Sequence, residues 1–122
     1  MIINLTQYVS TKEQVQAGVV DIGDRVAIKA ALSFESLPTR AEIQARAHAL
    51  VDIAEAEGAD CAMIGGATYL MAPLESALAK AGIQPLYSFT EHRLVEETLP
   101  NGEVEKTSVF RHAGWVRRPC MA

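Results

Sequence analysis

The sequence predicts an α/β fold: a three-layer Rossmann-like parallel sheet extended by a C-terminal antiparallel β-hairpin. Three observations point there. Cys61-Ala62-Met63-Ile64 is short and wholly apolar, as expected of a strand buried on both faces. Such runs alternate with helical patterns opened by capping residues, an order that requires right-handed parallel crossovers. Finally, Asn101-Gly102 lies between two extended runs, a strong signal for a two-residue hairpin turn.

Taken in order, Ile2 to Leu5 reads as the first strand and Thr6 to Ser10 as a polar loop. Thr11-Lys12-Glu13-Gln14 fits a capping box, with Thr11 capping a helix and Gln14 reaching back to it. Val19 to Ile22 is a short strand or an extended connection, and Arg25 to Leu32 a second short helix. Thr39-Arg40-Ala41-Glu42 is a second capping box and opens the clearest helix, Arg40 to Glu57. Its residues Ile43, Ala47, Leu50, Val51 and Ala54 share one face at helical spacing, which leaves His48 on the solvated side. Gly58 stops it.

After the buried strand, Gly65-Gly66-Ala67-Thr68 breaks the pattern. A helix is expected from about Ala72 to Ala81, with Pro73 in its first turn. Pro85 to Phe89 is the next strand. With Asn101 and Gly102 as the whole loop, Leu99 faces Val104, Glu97 faces Lys106 and Leu94 faces Val109. The same register sets Glu91 opposite His112 and Arg93 opposite Phe110, so that Glu91, Arg93 and His112 share one face. Residues 1–116 read as a single domain and 117–122 as a flexible tail.

Composition narrows the functional classes. The chain has 122 residues, 49% of them apolar and 21% charged, with a net charge of −4 and a pI near 5.3. An acidic balance argues against binding duplex nucleic acid, which needs a basic face. A small anionic ligand needs only a few local donors and is not excluded. No run approaches the ~18 apolar residues of a membrane span. The expected setting is cytoplasmic, without membrane association. Cys61 reads as a buried small hydrophobe and Cys120 lies near the end. With three histidines and no metal-type spacing, neither a metal nor a cofactor is expected. Asp21 and Glu35 read as isolated surface carboxylates.

Ligands of open parallel sheets bind beyond the carboxyl ends of the strands. Three such ends can be named: Thr6 and Gln7; Gly65, Gly66, Ala67 and Thr68; and the segment from Ser88 and Thr90 to Arg93. Two glycines let the backbone approach a ligand closely. The amides of the helix that follows can receive an anion, and Thr68 and Tyr69 could add hydroxyls. The alternative is that the glycines only make a tight turn; the loop is neither a Walker loop nor a G-x-G-x-x-G fingerprint. A second group, Glu91, His92, Arg93, Arg111 and His112, lies at the hairpin base. It could bind phosphate or exchange protons, or serve as a charged patch that protects a sheet edge.

The chain opens with a strand, Leu5-Thr6-Gln7 and a Thr-x-Glu-Gln helix start. It continues through Met63-Ile64-Gly65-Gly66 and Gly82-Ile83-Gln84-Pro85-Leu86-Tyr87, and closes with Arg93, Glu96 and Phe110-Arg111-His112. Over most of residues 1–116 this layout resembles the small stand-alone CRISPR-associated proteins related to CARF (CRISPR-associated Rossmann fold) domains. Some of those are ring nucleases or sequestering proteins for cyclic oligoadenylate. The resemblance implies a CARF-like fold and a homodimer or larger homo-oligomer. It also implies a ring nucleotide at the strand ends, bound by Thr6, Gln7, Gly65, Gly66, Thr68, Tyr69, Ser88 and Thr90. Arg93 and His112 would assist metal-independent cleavage by the substrate's own 2′-hydroxyl. The strand-one loop departs from the pattern in lacking a catalytic lysine or serine, which leaves binding without cleavage open.

The resemblance therefore implies a protein that binds, or binds and cleaves, a cyclic oligoadenylate second messenger, as a ring nuclease or a sequestering protein in antiphage signalling. Two alternatives stand beside it. One is a non-enzymatic interaction or assembly module that docks a partner through Tyr69, Leu70 and Met71 and pairs its hairpin across an interface; the other is an enzyme acting on a mononucleotide or nucleoside.

Overall fold

A computed structural model describes residues 1–23 and 25–117, and the side chains of all of these except Arg93, Val109 and Phe110. The elements run β1 (Ile2–Asn4), α1 (Lys12–Gln16), β2 (Val19–Val20), α2 (Val26–Leu32), α3 (Arg40–Ala56), β3 (Cys61–Met63), α4 (Thr68–Lys80), β4 (Gln84–Thr98) and β5 (Val104–Arg117). They build a mixed α/β fold on one sheet of order β2-β1-β3-β4-β5. The first four strands are parallel, and β5 returns antiparallel along β4. The chain moves outward from β1 to β2 and then crosses back to β3 on the other side. The strand order therefore reverses between β1 and β3, where parallel sheets open a crevice at their carboxyl ends.

Side chains alternate across the strands and sort the core. Ile3 and Leu5 of the β1 segment and Ala62 and Ile64 of the β3 segment pack with Ile28, Leu32, Leu50, Leu70, Leu74 and Leu78 of α2, α3 and α4. These three helices form the helical layer of one face. The opposite face presents Asn4, Met63 and Leu86, which are neighbours by register and buried. Helix α1 reaches this side through Gln14, which hydrogen-bonds Ser88. With five residues and none buried, α1 depends on such anchors.

Several expectations need correction. Helix α4 begins at Thr68, four residues before the expected start, and Pro73 lies inside it. Proline leaves the carbonyl of Tyr69 without its helical donor and costs about 3 kcal/mol in a helix interior. Burial of Leu70 and Met71 ahead of it, at about 1.5–3 kcal/mol each, offsets that cost. Thr39 accepts from the Glu42 amide at 3.1 Å, but the second capping box is not completed. The Glu42 carboxylate goes instead to Arg46 at 3.3 Å. Cys61 is half-buried.

The hairpin is one residue out of the expected register. Thr98 faces Val104, Glu97 faces Glu105, Leu94 faces Ser108, Arg93 faces Val109 and Glu91 faces Arg111. Pro100 is the cause. In a two-residue loop the flanking residue must donate its amide across the ladder, and proline has none. The turn moves to Leu99–Gly102, closed by the Gly102 amide on the Leu99 carbonyl at 2.9 Å, with Gly102 at φ +86°. Leu99 then donates to Glu103 at 2.7 Å, making the longer loop with a left-handed glycine. The expected third strand and the first hairpin strand are one continuous β4. Arg117 ends β5 opposite Leu86; residues 118–122, with Cys120, lie outside the described residues.

Candidate functional site

The carboxyl ends of β1 and β3 border a cleft of about 830 Å³ that continues along β4 and β5. Thr6 to Val9, Thr11 and Gln14 form one wall. Met63 to Ala67 form another, and Tyr87, Ser88, Thr90 and His112 the third. Six of the residues expected at a site therefore meet here as lining: Thr6, Gln7, Gly65, Gly66, Ser88 and Thr90, together with His112.

The wall after β1 is built on an asparagine. Asn4 is completely buried in an otherwise apolar strand. Its side-chain oxygen accepts from the amide and hydroxyl of Thr6 at 2.9 and 2.7 Å. Its amide nitrogen donates to the Tyr8 carbonyl at 2.8 Å, to Ser10 Oγ at 3.1 Å and to Asp21 Oδ1 at 2.8 Å. Asp21 also accepts from the Ser10 hydroxyl at 2.6 Å and the Ser10 amide at 3.0 Å. Arg25 donates to the carbonyls of Thr6 and Tyr8 and lies 3.9 Å from Asp21. Asp21 is thus no isolated surface carboxylate. Partial burial opposes its charge, but the hydrogen bonds from Ser10 and Asn4 and the nearby guanidinium outweigh that, so its pKa lies below the ordinary 3.8. The Thr6 hydroxyl is turned inward, onto Asn4 and the Tyr8 carbonyl.

The wall after β3 is the double glycine. Gly66 sits at φ +144°, a conformation that side chains disfavour, while Gly65 does not. A Cβ on Gly66 would also come within 3.6 Å of Leu32 and 3.8 Å of Met71. Ala67 caps α4 without a side-chain hydrogen bond, and the first turn of α4 carries no acid. The helix therefore presents an uncapped, partially positive end at the cleft. Thr68 and Tyr69 are the first two residues of α4 and do not line the cleft. The Tyr69 ring packs edge-on against Phe34, with centroids 5.3 Å apart. Leu70 and Met71 are buried in the core, so of the expected docking patch Tyr69-Leu70-Met71 only Tyr69 is at the surface.

The third wall brings a serine and a histidine into contact. The ladder has a register shift after Phe89: Thr90 pairs with His112, whereas Phe89 pairs with Gly114 and Ser88 with Trp115. Ala113 is the extra residue of this bulge, which restores Trp115 to the face shared by Ser88, Thr90 and His112. Ser88 Oγ lies 2.5 Å from His112 Nδ1 and accepts from Gln14 Nε2 at 3.2 Å. The His112 and Trp115 rings are 4.5 Å apart at their centroids. Tyr87, also at the cleft, has its pKa pushed up to about 12 by burial and by the charge and hydrogen bond of Glu75, so its phenol stays neutral. Of the described side chains in the expected group Glu91, His92, Arg93, Arg111 and His112, only His112 lines the cleft. The register places position 93 on the strand face opposite to position 112, and the Arg93 side chain lies outside those described.

Among the described residues no three His, Cys, Asp or Glu side chains are grouped to hold a metal ion. No helix among them is long and apolar enough to cross a membrane. A family model matches residues 1–116. The chain belongs to the Uncharacterized protein MJ1673 family. Every residue of the cleft lies within the span matched to that family. Neither a curated protein nor a solved structure matches the chain.

Sequence reasoning missed Asn4, Asp21, Arg25 and the role of Gln14. The signal for Asn4 was a lone amide in the apolar run Ile2-Ile3-Asn4-Leu5. A buried polar group without partners is costly, so such a residue implies a network waiting for it.

Proposed function

We propose that this protein binds a cyclic oligoadenylate second messenger in the strand-end cleft, acting in antiphage signalling as a ring nuclease or a sequestering protein. The observation that carries the reading is the convergence of the β1 and β3 ends and the β4–β5 ladder on one cleft, with a glycine loop, a helix start without a side-chain cap and a histidine. Glycine amides and a helix N-terminus suit phosphate oxygens. A volume of about 830 Å³ suits a nucleotide-sized ligand. Thr90, Gln7 and the half-exposed polar rim are available to base and ribose edges. The mostly parallel sheet with an antiparallel extension is compatible with a CARF-like domain, and the same reading expects two copies of the chain to share one ring.

Cleavage at this site would use the ring's own 2′-hydroxyl as nucleophile. The protein would align it and stabilise charge at the phosphate, with His112 the titratable group placed to do so. Position 93 is on the opposite strand face, which leaves His112 to act without Arg93.

The test is incubation with cyclic tetra-adenylate and with other cyclic and linear oligonucleotides, followed by chromatography and thermal melting. At a hundredfold excess over Kd a bound ligand adds about 2.7 kcal/mol, a clear rise in Tm. Binding with linear products supports the nuclease, and binding without products supports the sequestering protein. If mononucleotides act equally well, the ring is not the ligand. If nothing binds, the reading fails and an assembly module takes its place.

A further inference from the structure

Gln14 stands at two junctions at once. Its side-chain oxygen accepts from the Thr11 amide at 3.0 Å, while Thr11 Oγ1 accepts from the Gln14 amide at 3.2 Å; this is the capping box of α1. Its nitrogen faces Ser88 Oγ at 3.2 Å, and Ser88 Oγ faces His112 Nδ1 at 2.5 Å. The direction of each bond follows from what each group can do. A backbone amide can only donate, so the Gln14 oxygen must face Thr11 and the Gln14 NH₂ must face Ser88. Ser88 therefore accepts from Gln14. Its single proton has one acceptor within reach among the described residues, His112 Nδ1. A neutral imidazole whose Nδ1 accepts carries its proton on Nε2.

We infer that Gln14 and Ser88 are positioning residues that hold His112 as the Nε2–H tautomer, so that the neutral imidazole meets a ligand in the cleft as a hydrogen donor. The inference rests on the proposed nucleotide reading only for the ligand's identity; the tautomer follows from the hydrogen-bond chain. It gives the histidine a definite role. With Nδ1 engaged by Ser88 and Nε2 protonated, the neutral ring has no free lone pair with which to take a proton from a ribose hydroxyl. In this state it can donate a hydrogen bond to a phosphate oxygen and so stabilise charge there. Trp115 packs against the ring and limits its rotation out of this arrangement.

The decisive variant is Gln14→Glu. Glutamate serves the capping box as well as glutamine does, so α1 keeps its cap. Its second oxygen, however, can only accept. The Ser88 hydroxyl then turns to residue 14, and His112 must donate from Nδ1. Long-range ¹H–¹⁵N spectra of the labelled protein, recorded where imidazole is neutral and assigned with His112→Gln, report the tautomer directly. The wild type is expected to show the Nε2–H pattern, Ser88→Ala a mixture, Ser88→Thr the wild-type pattern, and Gln14→Glu the inverted Nδ1–H pattern. An Nδ1–H wild type, or a Gln14→Glu spectrum unchanged from wild type, overturns the inference.

The same proteins are then titrated with cyclic tetra-adenylate. Gln14→Glu should lose about tenfold or more in turnover, or in affinity where the ring is held uncut. An inverted tautomer with both unchanged removes the donor role. Failure of every protein to bind the ring sinks the nucleotide reading while leaving the tautomer result standing.

Discussion

The loops that follow β1 and β3 border one cleft and are built on opposite plans. The first is tied down by side chains: Asn4, Ser10, Asp21 and Arg25 together hold the amide of Thr6, the hydroxyl of Thr6 and the carbonyls of Thr6 and Tyr8. The second has no such scaffold. Gly66 supplies its shape through backbone conformation, and Ala67 begins a helix with no side-chain cap. These bonds make the first loop a fixed wall in which the Thr6 hydroxyl and the Thr6 and Tyr8 carbonyls are already engaged. The second brings Gly65, Gly66 and the uncapped start of α4 at Ala67 to the cleft. A pocket for an anion needs both, since rigid walls reduce the ordering cost of binding and free donors supply the attraction.

The contrast can be broken most severely at Asn4. Asn4→Ala leaves several buried donors and acceptors unpaired, and urea denaturation should show a loss of about 3 kcal/mol. Hydrogen exchange should quicken at Thr6 and Ser10 while α4 stays protected. The next largest effect belongs to Gly66→Val, which forces a branched side chain into a left-handed backbone. A loss of about 2 kcal/mol in the same assay is expected, with the β1 loop unaffected.

Asp21 offers a milder probe. Its native pKa is lowered from 3.8, so its bonds contribute fully at neutral pH and are lost as pH falls from about that value through the lower native one. Stability measured from pH 7 down to pH 2 should fall more steeply in this acid range for the wild type than for Asp21→Asn. The smallest effect is predicted for Gly65→Ala. Its backbone is unstrained and the new Cβ would meet only the Thr6 methyl at 3.6 Å, so stability should change by less than about 0.5 kcal/mol. Because it spares the fold, any loss of ligand binding in this variant can be assigned to the cleft itself.

What could be read from the sequence follows the range of the interactions. Helices α1 and α3 were legible because Thr11 with Gln14, and Thr39 with Glu42, act within one turn. The start of α4 was not, because Ala67 carries no capping side chain and Pro73 is also a common helix opener. The hairpin was visible in Asn101-Gly102, but its register turns on the missing amide of Pro100, which shifts the turn to Leu99–Gly102. In the cleft, the glycines and strand-end polar residues were legible because topology alone brings strand ends together. The network of Asn4, Asp21 and Arg25, and the reach from Gln14 to Ser88 across 74 residues of chain, depend on packing that no local pattern encodes.

The hairpin also has a root at the cleft and an arm beyond it. Ser88 with Trp115 and Thr90 with His112 flank the bulge, just beyond Leu86, where the pairing of β4 with β3 ends. Beyond them the strands pair only with each other, and Leu94, Val95 and Val104 are exposed. Removing facing pairs from the outer ladder, two at a time, would preserve the alternation and leave His112 where it is. Arm length is in this sense a free variable: it can be redesigned, or drift between relatives, without touching the chemistry at its root.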